Sequence, residues 1–209
     1  MTNKIVLLGG GGHCKACIDV IETTRFTIEG VIDKEINAGK VLNYRIIGDD
    51  DKLEGLVQMN YWFLVTVGQI KNPSLRFELF EKIKQWRGKL AIVIASTSIV
   101  SKYSTIGEGT IIMHQALVNA DVRIGRNCII NNKSLIEHDC SIGDHTHIST
   151  GAILNGSCTI GNRVFVGSNT VIANGTQVAD NVVIGAGSVV IENISKAGVY
   201  AGNPAIKIR

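Results

Sequence analysis

Aliphatic residues recur at every sixth position from Ile94 to Val190. A period of six matches neither the 3.6-residue turn of a helix nor the alternation of a half-buried strand. It is typical of a parallel β-helix, in which three hexapeptides form one coil of eighteen residues and the aliphatic side chains stack inwards. None of the seventeen positions is missed, and each holds Ile, Val or Leu: Ile94, Val100, Ile106, Ile112, Val118, Ile124, Ile130, Ile136, Ile142, Ile148, Leu154, Ile160, Val166, Ile172, Val178, Ile184 and Val190.

Two other positions of the repeat are also restricted. The residue after the aliphatic one is often Gly or Asn, and we expect these at the corners of the coils because they tolerate a positive φ. The fourth residue after the aliphatic one is small or β-branched and is expected to point inwards. Three of the five cysteines occupy this position and are interpreted as small buried residues: Cys128, Cys140 and Cys158.

Short apolar runs and helical patterns alternate ahead of the repeats. Lys4–Leu8 is predicted to be a buried parallel strand, and it is followed by four glycines and a helix. Further strands are predicted at Thr27–Ile32 and Tyr61–Val67, with a helix after the latter. The chain therefore divides into a short Rossmann-like α/β sheet over 1–93 and a parallel β-helix with a C-terminal cap over 94–209.

The strand, glycine turn and helix at the start are typical of a nucleotide-binding βαβ unit, although the spacing differs from G-x-G-x-x-G. Ligands of such sheets bind beyond the carboxyl ends of the strands, where a small set of residues is expected to gather. The size of this domain favours a mononucleotide or a nucleotide-sugar over NAD. A tight turn and a polar loop without any ligand remain the alternative. The gathered residues are Gly11, Gly12, His13, Asp33, Lys34 and Gly68.

Composition excludes several classes of protein. The 209 residues carry a net charge of +3 and no basic run, which does not suggest a nucleic-acid partner. The apolar start is too short for a signal peptide or a membrane span, so we expect a cytoplasmic protein without a membrane partner. Cys14 and Cys17 have the spacing of a redox or metal-binding pair, but no second ligand pair accompanies them.

One corner of the predicted β-helix carries unusual residues. Glu137 occupies a position that usually holds Gly or Asn, and His138 and Asp139 follow it. A histidine titrates near neutrality and suits a general base, and an adjacent carboxylate raises its basicity. The two side chains can cooperate if the corner curls the chain, because neighbours on a regular strand point to opposite faces. A solvated corner histidine is the alternative.

Further histidines raise the question of a metal site. His145 and His147 lie in the next hexapeptide and His114 lies earlier, and γ-type carbonic anhydrases hold zinc on a β-helix with three histidines. His138 and His147 are nine residues apart, which is half of a coil, so they can meet only across a subunit interface. No spacing in the sequence specifies zinc, and we expect no metal.

In this order, the features resemble the nucleotide-sugar acetyltransferases of the left-handed β-helix superfamily. The nearest type is the N-acetyltransferase that acts on UDP-4-amino-4,6-dideoxy sugars in bacillosamine synthesis, and the sialic acid O-acetyltransferase branch is similar. The resemblance covers nearly the whole chain. It includes the Gly-Gly-His turn, the Asp-Lys pair, the Ile-Glu-His-Asp sequence and the Gly-Asn-Pro-Ala sequence near the C-terminus.

The resemblance implies left-handed coils, a homotrimer with active sites between subunits, and acetyl-CoA as co-substrate. His138 matches the catalytic base, and Asp139 stands where the bacillosamine enzyme has Glu as the residue that enhances basicity. The glycine turn with His13, the Asp33–Lys34 pair and Gly68 match nucleotide-sugar contacts. The matches to acetyl-CoA contacts are His147, Ser168, Gly185 and Ala186.

The implied reaction is direct acetyl transfer to the 4-amino group of a UDP- or dTDP-linked 4-amino-4,6-dideoxy sugar, as part of polysaccharide or glycan biosynthesis. No Ser or Cys is placed as a nucleophile beside His138, so no covalent acetyl-enzyme is expected. An O-acetyltransferase acting on sialic acid or another sugar is the first alternative. A metal-binding β-helix protein is the second.

Overall fold

A computed structural model of the chain describes residues 3–35, 39–70 and 72–209. Their packing divides the chain into two compact units, Met1–Ser96 and Thr97–Arg209. Each unit has its own hydrophobic core and is described by itself. Within the described ranges, no helix has the length and apolar character needed to cross a bilayer.

The first unit is built on a largely parallel sheet with the strand order β3-β4-β2-β1-β5-β6. The central strand β1 has β2 on one side and β5 on the other, so the strand order reverses at β1. Parallel sheets of this type bind ligands beyond the carboxyl ends of the strands at such a reversal. The strands are β1 Lys4–Leu8, β2 Thr27–Ile32, β3 Lys40–Val41, β4 Tyr44–Gly48, β5 Trp62–Val65 and β6 Lys89–Leu90.

Among the described residues of the first unit, three helices and one 3-10 turn accompany the sheet: α1 Gly12–Ile21, the turn Asp50–Lys52, α2 Leu53–Gln58 and α3 Ser74–Gln85. Strand β5 ends two residues earlier than the sequence predicts. Its next residue, Thr66, turns its hydroxyl to the carbonyl of Gly9 at 2.7 Å. The buried guanidinium of Arg76 binds the carbonyls of Val65 and Val67 at 2.6 and 3.0 Å. These bonds replace the strand ladder at this edge.

The second unit is the predicted β-helix, built from two- and three-residue strands that pair in parallel with the strand one coil later. The register between the repeat strands is eighteen residues, as in the pairing of Ile112 with Ile130 and of Ile130 with Ile148. Strand β7, Val93–Ile94, precedes the unit. The repeat strands β8–β23 are Ile99–Val100, Thr105–Ile106, Ile111–Ile112, Leu117–Val118, Arg123–Ile124, Ile129–Ile130, Leu135–Ile136, Ser141–Ile142, His147–Ile148, Ile153–Leu154, Thr159–Ile160, Phe165–Val166, Val171–Ile172, Gln177–Val178, Val182–Ile184 and Val189–Val190.

The aliphatic repeat forms the core of this unit, as predicted, except that the first of the seventeen positions, Ile94, is 37% exposed. All fourteen aliphatic positions from Ile112 to Val190 belong to one buried cluster, and the two before it, Val100 and Ile106, pack against that cluster. After Val190 the chain folds back as a hairpin of β24, Gly198–Gly202, and β25, Ala205–Lys207, with β24 paired to β22. This hairpin supplies the predicted cap at the last coil.

The inward position at the fourth place of the repeat also carries hydrogen bonds. The hydroxyls of Thr110 and Thr146 donate to carbonyls fifteen residues later at 2.8 Å. The thiols of Cys128, Cys140 and Cys158 donate in the same way, at 3.1 to 3.2 Å. These cysteines are buried, as predicted, and they also take the place of a threonine hydroxyl.

The prediction that the corner glycines are needed for a positive φ was wrong. Positive φ occurs at the third residue after the aliphatic one, for example Asp139 and His145, and not at the residue directly after it. Glycine directly after the aliphatic residue is needed because the next coil passes very close. A Cβ on Gly143 would lie 2.7 Å from the main chain of both Gly161 and Asn162.

The corner that follows these glycines is closed by side chains, and we name it the ladder corner. The N–H of each of the first three residues donates to a carboxylate or amide oxygen of the residue one coil later, at 2.7 to 2.8 Å. The guanidinium of Arg126 adds two bonds to Asp144, at 2.6 and 3.0 Å. The ladder corner consists of Arg126, Asp144, Asn162 and Asp180.

Candidate active site

His138 lies on the corner between β14 and β15. Asp139 has a φ of 61°, so the chain turns sharply at this residue. Because of the turn, two neighbouring side chains that would point apart on a strand meet each other. Nδ1 of His138 and Oδ2 of Asp139 are 2.7 Å apart, and the two side chains are 58% and 53% exposed.

This pair has the chemistry of a general base with its orienting carboxylate. An ionised carboxylate only accepts hydrogen bonds, so Nδ1 carries the proton and Nε2 keeps a free electron pair. The hydrogen bond to Asp139 raises the pKa of His138 above its usual value, and the charges of Asp139 and Glu137 act in the same direction. The imidazole is therefore more basic than an isolated histidine while remaining accessible.

The equivalent corners of the adjacent coils carry small residues. Ala120 lies eighteen residues before His138 and Gly156 lies eighteen after it, and we name these three residues the histidine corner. The N–H of Asp139 donates to the carbonyl of Ala120, and the N–H of Ser157 donates to that of His138, so the corners stack directly. The imidazole packs against the bare α-carbon of Gly156, where a Cβ would lie 2.9 Å from Nε2.

The main-chain N–H groups of this corner differ in their bonding. The N–H of Ala120 donates to the side-chain oxygen of Asn119 at 3.0 Å, and the amide nitrogen of Asn119 donates to Glu137 at 2.9 Å. In the described part of the chain, no group accepts a hydrogen bond from the N–H of Gly156. An unbonded donor beside a base is a candidate to stabilise a developing oxyanion.

Among the residues predicted to contact acetyl-CoA, His147 lies on a different face from His138. It begins strand β16 and is only 6% exposed. Its Nε2 is 3.2 Å from the amide nitrogen of Asn131, and its ring packs edge-on against Phe165 with centroids 5.2 Å apart. These contacts fix the orientation of the ring. Its contact with the coenzyme stays a prediction.

The other three residues predicted to contact acetyl-CoA lie near the ends of strands on the same face as His147. Ser168 and Ala186 are one coil apart at the same corner, and the hydroxyl of Ser168 is 3.0 Å from that of Ser149. The N–H of Gly185 donates to the carbonyl of Tyr200 in the terminal hairpin at 2.8 Å. The structure brings these residues to one edge of the β-helix, and their role stays a prediction.

In the first unit, a cleft of about 390 Å³ lies beyond the carboxyl ends of β1 and β5. It is lined by Gly11, Gly12, His13 and Gly68, which the sequence predicted to gather, together with Asp33. Gly68 lies beside His13, because a Cβ on this glycine would be 3.3 Å from the Cβ of His13. The glycine turn and the loop after β5 thus form two walls of one cleft.

Asp33 ties the glycine turn to the end of β2. One carboxylate oxygen accepts the N–H of Gly10 and the other accepts the N–H of Glu35 at 2.8 Å. Each oxygen retains a second electron pair, so the carboxylate can still bind a hydroxyl. Lys34 lines a smaller cleft of about 210 Å³, which also contains Asp33 and Asp50 and shares Gly9, the first glycine of the turn, with the cleft beyond β1.

Sequence reasoning missed two lysines. Lys15 and Lys40 line a cleft of about 400 Å³ together with Gly10, Gly11 and Asp33. Two ammonium groups beside a glycine turn suit a diphosphate. Lys15 was detectable, because it stands in the first turn of the helix that follows the glycines. Lys40 was not, because its place depends on the antiparallel pairing of β3 with β4.

Sequence reasoning also missed Gly156 and Asn119 as neighbours of the base. The signal was present in the sequence, because counting eighteen residues from His138 leads to Gly156, and counting back from Glu137 leads to Asn119. The contacts themselves required the positions of the side chains.

The Cys14–Cys17 pair lacks the properties of a reactive site. Both residues are fully buried on α1. Burial raises the pKa of the Cys14 thiol to about 11 and raises that of Cys17 further. Thiols in this state are poor nucleophiles and poor metal ligands. Across residues 3–35, 39–70 and 72–209, no three His, Cys, Asp or Glu side chains are placed to share a metal ion.

Two family models match parts of the chain. Residues 4–83 match the PglD N-terminal domain, and residues 103–138 and 157–192 match the bacterial transferase hexapeptide repeats. The first hexapeptide segment ends at His138, and the second begins at Ser157, the residue after Gly156. A search of curated protein sequences finds no match.

Solved structures match the chain over almost its full length. PerB from Caulobacter crescentus, in complex with CoA and GDP-perosamine, has 28% identity and a TM-score of 0.92, covering 99% of this chain and 97% of that one. The acetyltransferase domain of PglB from Neisseria gonorrhoeae has 29% identity and a TM-score of 0.93, covering 99% and 100%. The same domain in complex with acetyl coenzyme A has 28% identity and a TM-score of 0.93, covering 100% of both chains.

The fold and the two domain matches define a hexapeptide-repeat transferase with a left-handed β-helix. With its PglD N-terminal domain, the chain is similar over its full length to PerB and to the PglB acetyltransferase domain, which places it beside the hexapeptide-repeat nucleotide-sugar acetyltransferases. The family resemblance read from the sequence is confirmed.

Proposed function

We propose that the protein transfers an acetyl group from acetyl-CoA to the amino group of a nucleotide-linked amino sugar, with His138 as general base. The observation that carries the proposal is the 2.7 Å hydrogen bond between His138 and Asp139 at an exposed corner of the β-helix. The comparison proteins support the reaction class, since PerB is in complex with CoA and GDP-perosamine, and the PglB domain is in complex with acetyl coenzyme A.

In the proposed reaction, the neutral sugar amine attacks the carbonyl carbon of the thioester. Nε2 of His138 accepts a proton from the attacking nitrogen, and Asp139 stabilises the imidazolium that forms. The N–H of Gly156 is our candidate donor to the oxyanion. The C–S bond then breaks, and the proton held by His138 passes to the departing sulfur. The products are the N-acetylated sugar nucleotide and CoA.

The first unit is proposed to hold the nucleotide-sugar. Gly11, Gly12, His13 and Gly68 form the walls of the cleft beyond β1, and Asp33 has electron pairs left for a ribose hydroxyl. Lys15 and Lys40 line the neighbouring cleft and are assigned to the diphosphate, which carries negative charge in all such substrates. Lys34, in the adjoining cleft that shares Gly9 and Asp33, is assigned to the nucleoside end.

The acetyl-CoA residues are proposed to act from a neighbouring subunit. His138 and His147 lie half a coil apart on different faces of one β-helix, so both reach one substrate only if subunits associate. A homotrimer with three equivalent sites satisfies this condition. His147, Ser168, Gly185 and Ala186 then line the coenzyme side. We further propose that the enzyme acts in the cytoplasm, in the biosynthesis of a polysaccharide or glycan.

An assay of thiol release tests the function. The protein is incubated with acetyl-CoA and, separately, with UDP-, dTDP- and GDP-linked 4-amino-4,6-dideoxy sugars. We expect one nucleotide to support rapid CoA release and the product to gain one N-acetyl group by mass. The matched 4-hydroxy sugar nucleotides serve as controls. Release with a hydroxy sugar alone would contradict N-acetylation and support the O-acetyl alternative.

A further inference from the structure

The imidazole of His138 is held on two sides. On one side Asp139 binds Nδ1 at 2.7 Å. On the other side lies Gly156, a residue without a side chain. The three atoms nearest to a Cβ built on Gly156 are all atoms of this ring: Cε1 at 2.7 Å, Nε2 at 2.9 Å and Nδ1 at 3.3 Å. A methyl group at position 156 is therefore incompatible with the position of the ring.

Nothing in the local backbone requires glycine at this place. Gly156 does not adopt a positive φ, unlike Gly151 and Gly175 in the same β-helix. The atoms nearest to its missing Cβ belong to a side chain rather than to the main chain of the next coil, in contrast to Gly143. The space left by the absent side chain is the space that the imidazole uses.

We propose that Gly156 is a positioning residue for acetyl transfer, whose bare α-carbon lets the imidazole of His138 lie where Asp139 binds one ring nitrogen and the other meets the substrate. The inference rests on the proposed role of His138 as the base. It assigns a function to the lack of a side chain, separate from the candidate role of the Gly156 N–H.

The variant Gly156→Ala tests the proposal. His138 is exposed, so its ring can rotate away from a new methyl group without a shift of the coils. We expect the thermal midpoint of unfolding and the KM for acetyl-CoA to stay near wild type. The rate constant kcat should fall by roughly 10- to 100-fold, because a displacement of about 1 Å in a catalytic group has an effect of this size.

The pH dependence gives a second readout. The hydrogen bond to Asp139 raises the pKa of His138. If the ring rotates away, this bond is lost and the pKa of His138 falls. The free base is then present at lower pH, so the acidic limb of the kcat/KM profile should move to lower pH in Gly156→Ala. A loss of packing alone would not move this limb.

A double-variant cycle separates an effect through the imidazole from any other effect of the methyl group. The residual rates of His138→Ala and of the double variant His138→Ala/Gly156→Ala are measured at high enzyme concentration. With the ring removed, the added methyl group has nothing to displace, so the two rates should agree within about twofold.

Two substitutions serve as matched controls. Gly55→Ala introduces the same methyl group on α2, where a Cβ meets no atom within 4 Å. Asn174→Ala changes the exposed residue at the same corner one coil after Gly156. Both controls should keep kcat within about twofold of wild type, since neither change touches the base.

Full activity of Gly156→Ala, with His138→Ala inactive, would overturn the inference and leave the proposed base in place. The inference would also be overturned if Gly156→Ala lowered the rate by the same factor in the wild-type enzyme and in His138→Ala, because the methyl group would then act without the ring. An active His138→Ala enzyme would overturn the proposed base itself. If Gly156→Ala does not fold, the double variant should fold like His138→Ala, and its failure to do so would contradict the predicted clash.

Discussion

The two corners of the β-helix differ in what their side chains contact. At the ladder corner, a carboxylate or amide side chain accepts a hydrogen bond from the main-chain N–H of the coil before it. At the histidine corner, the residues stacked above and below the imidazole of His138 are the small residues Ala120 and Gly156. The residue before each corner also differs. It is glycine before Arg126, Asp144 and Asn162, where the next coil comes within 2.8 Å of a missing Cβ. At the histidine corner it is Asn119 before Ala120 and Glu137 before His138.

This difference suggests that, within one repeat, one corner contributes to stability and the other to the proposed reaction. Both corners belong to the same coils, share the eighteen-residue register and follow equally buried aliphatic residues. The ladder corner uses its polar side chains to bind its own backbone. The histidine corner leaves a ring and an N–H for another molecule. A substitution at one corner should therefore change unfolding, and a substitution at the other should change catalysis.

The largest effect is expected for Gly143→Ala beside the ladder corner. The new Cβ would lie 2.7 Å from two main-chain atoms of the next coil, and the main chain cannot rotate away as an exposed ring can. Such overpacking should lower the free energy of unfolding by about 3 kcal/mol, measured by urea denaturation. If Gly143→Ala changed the free energy of unfolding as little as Gly156→Ala, the two corners would not differ in their contribution to stability.

The second prediction concerns His138→Ala. Loss of the general base should lower kcat by at least ~10²-fold, because no neighbouring group can replace Nε2. Binding of acetyl-CoA, followed by calorimetry, and the urea midpoint should stay unchanged, since the side chain is 58% exposed. An enzyme that keeps wild-type kcat would refute the assignment of the base.

The third prediction concerns Asp139→Asn. Asparagine tolerates the φ of 61° at this position, so the corner should keep its shape. A neutral partner replaces the charged acceptor of Nδ1, which should lower kcat about tenfold, as expected for ~1.4 kcal/mol. The pKa of His138 should fall, so the acidic limb of kcat/KM should move to lower pH. An unmoved limb would show that Asp139 does not set the basicity of His138.

The smallest effect is expected for Asp144→Ala at the ladder corner. This change removes the acceptor of the Arg126 N–H and of its guanidinium, and both groups can turn to water because they are partly exposed. Unfolding free energy should fall by about 1 kcal/mol, the value of a typical hydrogen bond, while kcat stays at the wild-type value. A tenfold loss of kcat would mean that the ladder corner also serves the reaction.

The β-helix was predictable because a six-residue period has one structural interpretation over such a length. His138 and Asp139 were predictable as an interruption of a regular pattern, although their contact depends on the turn at Asp139. The eighteen-residue period placed Gly156 beside His138, but its role was not recognised, because glycine is common in these repeats and the contact with the ring depends on side-chain positions. Its partner is one coil away in space and eighteen residues away in the chain.

The first unit was predictable in its elements but less so in its contacts. The sequence indicated that Asp33 follows β2, and the structure adds that its carboxylate holds the N–H of Gly10. Lys40 lines the cleft because it lies in a two-residue antiparallel strand, and no periodicity in the sequence predicts that strand. Buried Arg76 was missed as well, since its role depends on carbonyls left unpaired where β5 ends.

The strict eighteen-residue register also governs how the chain tolerates insertions and deletions. Inserting one residue between His138 and Gly185 would turn every later aliphatic side chain away from the core. Inserting or deleting a whole coil would preserve all the pairings and move the two residues apart or together by about 4.8 Å along the axis. As long as the pairing of the repeat strands is kept, the separation between the base and the residues proposed for the coenzyme therefore changes in steps of one coil.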